Sequence, residues 1–204
     1  MLDTENISNS SFTGQQEGEK IISIVKPHNI TRIIGYIKLF CVFALLLIGF
    51  ISLQKISYVF IIVGVVISVF TLVIGIFICH SLYLKRVVYI TDRRIIRFEP
   101  SNIFVINSRS LTWDNVLKVK TFSPTFFLRL INIGNVIVHS KTTLTGDNNP
   151  NQTLIGNDDI FLKDIYFYKD LGNYIDKILY LHSNDRDKLK DIRPFIVKNK
   201  GQRY

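Results

Sequence analysis

The longest apolar stretch of the chain runs from Leu39 to Leu84, and Lys55 is its only charged residue. Gln54 and Lys55 divide the stretch into two apolar runs. A helix of about 20 predominantly apolar residues is long enough to cross the hydrocarbon core of a bilayer. Each run therefore predicts one transmembrane helix, the first at residues 33–53 and the second at residues 56–84, joined as a hairpin.

The positive charges near this hairpin concentrate at its two outer ends, while the turn offers only Lys55. Lysine and arginine concentrate on the cytoplasmic side of membrane helices. The pattern predicts a multi-pass protein of the cell's inner (plasma) membrane with both termini in the cytoplasm. The flanking cations are Lys20, Lys26 and Arg32 before the first predicted helix, Lys38 near its beginning, and Lys85, Arg86, Arg93 and Arg94 after the second helix.

The rest of the chain divides by composition. The start is rich in Ser, Asn, Gln and Glu, which is typical of disorder, and the end is highly charged. The predicted segments are a disordered N-terminal tail at 1–18, a juxtamembrane arm at 19–32, the hairpin at 33–84, a cytoplasmic domain at 85–183 and a charged C-terminal tail at 184–204.

The cytoplasmic domain reads as short strands followed by one helix. Its apolar residues alternate or come in short runs separated by polar turns, as in half-buried strands. Apolar residues at helical spacing from Leu171 to His182 predict a closing amphipathic helix. Residues 123–129 predict an irregular loop or a short helical turn. Strands are predicted at 87–90, 95–98, 103–106, 116–120, 136–139 and 160–162, with a further short strand around 153–155.

Several segments occur in an order that resembles the bacterial PH (pleckstrin-homology-like) domain-containing membrane proteins. The resemblance covers residues 18–182 and includes a two-helix hairpin. Its motifs are Gly18–Ile22, Lys26–His28, Tyr89–Ile96, Trp113 and Phe127–Val138. It implies two orthogonal sheets closed by a C-terminal helix, and it implies no enzymatic activity. The expected fold is a membrane α-helical hairpin plus a mainly-β PH-like domain.

The residues themselves offer no catalytic or metal-binding pattern. The four histidines are scattered without HxxH or HExxH spacing, and the two cysteines lie in the apolar runs. No glycine-rich phosphate loop, nucleophile elbow or paired-carboxylate motif is present. We therefore expect no enzyme activity, no cofactor and no metal. The net charge of +9 flanks the hairpin, so it indicates a membrane rather than a nucleic acid.

Basic residues close to the hairpin are candidate contacts for lipid head groups. A cation near an anionic leaflet gains about 1 kcal/mol from the surface potential. The alternative is that these charges only set topology and solubility. The candidates are Lys85, Arg86, Arg93, Arg94, Lys118 and Lys120.

Small residues form a stripe along one face of the second predicted helix. Such stripes let helix backbones approach closely in lipid. The partner is either the first helix or a second copy of the chain. The members are Gly64, Ser68, Thr71, Gly75 and Cys79.

These features predict a non-enzymatic, membrane-anchored module for protein interaction or assembly. Its partner would be another protein or a second copy of the chain. The alternative is a module that binds anionic lipid head groups at the cytoplasmic leaflet.

Overall fold

The computed structural model describes residues 10–52, 57–141 and 158–196 of the chain. These residues divide into two compact units. The helical unit comprises residues 29–85 together with 100–106, and the β unit comprises the segment up to His28, residues 86–99 and the chain from Asn107 onward.

Two long helices form most of the helical unit. They are α1, Ile30–Ser52, and α2, Val59–Leu84, and both are long and apolar enough to cross a membrane. Neither contains proline, which would break the backbone ladder. The predicted turn at Gln54 and Lys55 lies outside the described residues.

The two helices run antiparallel and touch at small residues. A Cβ atom at Gly64 would overlap the side chain of Phe50, and one at Gly75 would overlap Leu39. Gly75 lies eleven residues beyond Gly64 on α2, and Leu39 lies eleven residues before Phe50 on α1. The glycines therefore admit two large side chains of α1 at matched heights, the close approach that small residues permit between apolar helices.

The first sheet of the β unit combines segments from both sides of the helical pair in the sequence. Its order is β1–β2–β3–β4. β1 pairs antiparallel with β2, which begins only after α2 has ended. The strands are β1 Ile21–Val25, β2 Val87–Thr91, β3 Arg94–Pro100 and β4 Ile106–Thr112.

The second sheet is antiparallel in the order β5–β6–β7. A short helix, α3, joins β5 to β6, and the helix α4 follows β7. A 3-10 turn at Trp113–Asn115 links the two sheets. The elements are β5 Val116–Phe122, α3 Phe126–Leu130, β6 Ile133–Ser140, β7 Ile160–Tyr166, α4 Tyr168–Asn184 and a 3-10 turn at Arg186–Asp191.

One hydrophobic core joins both sheets and α4. The predicted C-terminal helix is confirmed, and Leu171, Ile175 and Ile178 on its apolar face are fully buried. Burying a side chain of this kind contributes about 1.5 to 3 kcal/mol. Both sheets add further members, including Ile90, Ile95, Trp113, Val136, Val138, Ile160 and Leu162.

Residues predicted as arm and tail take part in the β unit. Residues 21–25 of the predicted juxtamembrane arm form β1. In the predicted disordered tail, the ring of Phe12 packs against that of Tyr89 in a tilted arrangement, with the ring centroids 4.9 Å apart. Residues 1–9 lie outside the described residues. Leu189 of the predicted C-terminal tail belongs to the core.

The predicted third strand, residues 103–106, is wrong in its position. β4 begins only at Ile106, and residues 101–105 form a loop. The cause is Asn102, whose side-chain oxygen accepts the N–H groups of Phe104 and Val105. Such a turn competes with strand pairing. The short strand predicted around 153–155 lies outside the described residues.

Candidate binding surfaces

The structure distributes the predicted lipid-contact residues over separate places. Arg86 precedes β2 and Arg93 follows it. At about 3.3 Å per strand residue, they stand roughly 20 Å apart. Lys118 and Lys120 are exposed on β5, in the other sheet. Lys85, in the helical unit, donates from its ammonium group to the carbonyl of Ile103.

Arg94 is bound within the protein rather than presented to a ligand. Its Nε and Nη2 atoms donate to the two carboxylate oxygens of Glu19, each at 2.9 Å. Nη2 also donates to the carbonyl of Gly14 at 2.7 Å. The Glu19 side chain has no exposed surface, and the hydroxyl of Thr91 donates to it at 2.8 Å. We refer to this arrangement as the Glu19–Arg94 pair.

The electrostatics of Glu19 reflect this setting. Burial raises the pKa of its carboxyl group, but hydrogen bonds from Arg94, the Gln16 N–H group and Thr91 outweigh burial. The resulting pKa lies below its ordinary value. Glu19 therefore stays ionised and fastens residues 10–20 to the β2–β3 turn.

Two segments that carry the family resemblance meet at this turn. The N–H group of Lys20 donates to the Asp92 carboxylate at 3.0 Å, and the Asp92 N–H group donates to the Lys20 carbonyl at 3.1 Å. Trp113 donates from its indole nitrogen to the Thr91 carbonyl at 2.9 Å. Hydrogen bonds thus join Gly18–Ile22 to Tyr89–Ile96. They give the polar side chains of these two segments a structural role.

A second group of arginines forms what we call the basic cleft. It contains Arg86, Arg97, Glu99 and Arg109. Arg97 lies two residues after the buried core residue Ile95 on β3, so the two side chains are on the same, core-facing side of the strand. The side chain of Arg97 is only 14% exposed. The guanidinium of Arg97 donates to the Glu99 carboxylate.

The cleft carries an excess of positive charge. Burial lowers the pKa of Arg97, Glu99 raises it, and the charges of Arg109 and Arg86 lower it further. Lys163 and Asp164 of β7 line the same cleft and add one charge of each sign. Four cationic side chains against two carboxylates leave an excess of two positive charges.

Arg86 leaves one hydrogen-bond donor in the cleft unsatisfied. Its Nε atom is buried and has no hydrogen-bond partner among the described residues. A buried donor without a partner costs free energy that an acceptor would relieve. A phosphate or carboxylate oxygen is an acceptor suited to guanidinium groups.

Sequence reasoning identified Arg86 but missed Arg97 and Arg109. A signal for Arg97 is present in the strand pattern, because Arg97 lies two residues from buried Ile95 and so shares its side of β3. Arg109 is exposed on β4, and the pattern of that strand does not mark it. Charged residues on the core-facing side of a strand are uncommon unless they are paired or functional.

An apolar surface on α3 is the other candidate for binding. Phe126, Phe127 and Leu130 are all mostly exposed, and Phe127 is 79% exposed. Thr125 caps the start of the helix, and its side chain accepts the Leu128 N–H group. Contiguous exposed apolar side chains of this kind mark interaction sites. We refer to these three residues as the α3 surface.

The small-residue stripe lies largely within the helical pair. Gly64 and Ser68 are the buried residues of α2. Gly64 and Gly75 face α1, and Cys79 lies beside Gly35, also on α1. Thr71 donates to the carbonyl of Ile67 in its own helix at 2.8 Å.

Comparison of the chain with protein-family models, with curated proteins and with solved structures gave no match. Within residues 10–52, 57–141 and 158–196, no group of three or more His, Cys, Asp or Glu side chains is arranged to hold a metal ion.

Proposed function

We propose that this chain is a non-enzymatic integral membrane protein whose β unit is a PH-like domain at the cytoplasmic face of the inner membrane. Sheets of four and three antiparallel strands followed by a C-terminal helix support the PH-like assignment. It agrees with the architecture that the resemblance implies.

The pairing of β1 with β2 supports a membrane hairpin. β1 comes before α1 and β2 comes after α2, yet they are neighbours in one sheet. If the two helices cross a bilayer, the residues before α1 and those after α2 must lie on the same side. The flanking lysines and arginines favour the cytoplasmic side.

The α3 surface carries the proposal that the β unit is an interaction module. Covering a phenylalanine or leucine contributes about 1.5 to 3 kcal/mol each, and aromatic residues are preferred anchors of protein interfaces. Phe126, Phe127 and Leu130 would gain this free energy from a protein partner or a second copy of the chain.

Site-specific photo-crosslinking tests the interaction module. A photoreactive residue at Phe127 of the full chain in native membranes should give a discrete adduct, and the adduct should weaken in the Leu130→Ser variant. The control carries the same photoreactive residue in place of Asn173, which is exposed on α4. The mass of the adduct distinguishes a second copy from another protein. Equal labelling at both positions, or none at Phe127, would contradict the proposal.

Binding of an anionic lipid head group is a second candidate, supported by the basic cleft. The specific observation is the buried Arg86 Nε atom, which has no hydrogen-bond partner in the described part of the chain, beside an excess of positive charge. Mass spectrometry should detect anionic lipid retained by the purified full chain, and less of it with Arg97→Gln. Arg93→Gln, at the far end of β2, is the matched control. Equal retention by both variants would exclude the cleft as the binding site.

A further inference from the structure

The β3–β4 loop belongs to the helical unit, although its strands belong to the β unit. Residues 100–106 group with α1 and α2. Lys85 follows the last turn of α2, and its ammonium group donates to the carbonyl of Ile103. The loop is therefore fixed beside the point where α2 ends.

The loop presents its apolar tip through its own hydrogen bonds. The side-chain oxygen of Asn102 accepts the N–H groups of Phe104 at 2.9 Å and Val105 at 2.7 Å. The Ser101 N–H group donates to the Val105 carbonyl at 3.0 Å. These bonds set the conformation of the tip in advance, and Phe104 is left 90% exposed.

We propose that the tip, Ile103-Phe104-Val105, inserts into the interfacial layer of the bilayer on the side where α2 ends. This inference rests on the proposed membrane crossing. Lys85, whose ammonium group contacts the loop, has the charge that anionic head groups attract. Insertion would give Phe104 the apolar surroundings that it lacks.

The size of the tip favours lipid over a protein partner. One phenylalanine buries about 150 to 250 Å², whereas a stable protein interface covers roughly 800 Å² on each partner. Leu84, the last residue of α2, is also exposed, and Lys85, the next residue, contacts the tip at Ile103. The tip therefore lies at the end of a helix that would already contact lipid.

Fluorescence quenching in liposomes tests the insertion directly. The full chain with Cys41→Ala and Cys79→Ala receives a single cysteine at Phe104, Leu45 or Asn173, labelled with an environment-sensitive dye. Lipids carrying doxyl quenchers at shallow or deep acyl positions then report depth. We expect Phe104 to be quenched most by the shallow quencher and several-fold more than Asn173. Leu45, in the middle of α1, should respond most to the deep quencher.

The Leu45 label separates the inference from the function on which it rests. Deep quenching at Leu45 without quenching at Phe104 would overturn the inserted tip and leave the membrane crossing intact. Absence of quenching at Leu45 would overturn both.

A label at Ser101 keeps the native phenylalanine in place. Its shallow quenching should fall in the Phe104→Ser variant and stay unchanged in Phe127→Ser, which removes an exposed phenylalanine of the β unit instead. Quenching at Ser101 that does not depend on Phe104 would contradict insertion of the tip.

Discussion

Arg94 and Arg93 are adjacent in the sequence but have different roles in the structure. Arg94 neutralises the buried carboxylate of Glu19, while Arg93 reaches the exposed side chain of Gln16 at 3.2 Å. Removing one partner of a buried ion pair leaves an uncompensated charge. Losing a surface hydrogen bond changes stability little.

Replacing Arg94 should therefore destabilise the protein, whereas replacing Arg93 should not. We expect Arg94→Gln to lower the free energy of unfolding by about 3 kcal/mol and Arg93→Gln by at most about 0.5 kcal/mol. Denaturant unfolding of the full chain in detergent can be followed by the emission of Trp113, the only tryptophan. A similar loss in the free energy of unfolding for both variants would contradict the different roles given to Arg94 and Arg93.

The Glu19–Arg94 pair also predicts a dependence on pH. The pKa of Glu19 is lower in the folded protein than the ordinary value of 4.5. Its stabilisation is therefore complete above that ordinary value and is lost as the pH falls through the folded pKa. The stability difference between the native chain and Glu19→Gln should be constant near neutral pH and shrink in acid. An increasing difference in acid would mean that Glu19 is protonated in the folded state.

The sequence reveals the residue types at this turn but not their pairing. Glu19 and Arg94 are 75 residues apart, and the apolar runs lie between them. Charge placement alone therefore assigned Arg94 to the membrane surface. Its burial beside Glu19 depends on β1 joining β2, which no local pattern specifies.

At the scale of elements, the antiparallel helices show which glycines are needed for the contact between α1 and α2. Gly75 of α2 faces Leu39, so an added methyl group would overlap it. Gly49 of α1 has open space where its Cβ would be. The same glycine-to-alanine change therefore has opposite consequences at the two positions.

We expect Gly75→Ala to destabilise the helical pair by about 1 to 3 kcal/mol, the usual cost of overpacking. Gly49→Ala should be neutral or stabilise it by up to about 1 kcal/mol, since glycine is a poor helix former. Thermal unfolding in detergent, monitored by circular dichroism, compares the stability of the two variants. Equal destabilisation by both variants would contradict the antiparallel contact described here.

Strong periodic patterns predicted the long elements well and the short ones poorly. The apolar runs and the i, i+3, i+4 spacing from Leu171 identified α1, α2 and α4. The apolar run at 103–106 indicated a strand, but the hydrogen bonds of Asn102 turn the chain there. Exposure of the α3 surface was not predictable, because an apolar short helix is ordinarily buried.

At the scale of the whole molecule, one β unit is assembled from chain segments separated by the two long helices. Composition predicted a helical part and a strand-rich part, and the structure has both. It did not predict that the first strand of the sheet precedes the helices. The pairing of β1 with β2 makes this arrangement a constraint on topology, because both flanks of a crossing hairpin must then lie on one side.

Cysteine accessibility in intact cells tests this topology most directly. In a chain with Cys41→Ala and Cys79→Ala, single cysteines at Thr13, Tyr58 and Asn173 report the N-terminal flank, the turn between helices and the β unit. We predict that a membrane-impermeant maleimide labels Tyr58→Cys from outside, and labels Thr13→Cys and Asn173→Cys only after permeabilisation. Labelling of Asn173→Cys in intact cells, or opposite accessibility of Thr13→Cys and Asn173→Cys, would contradict the account.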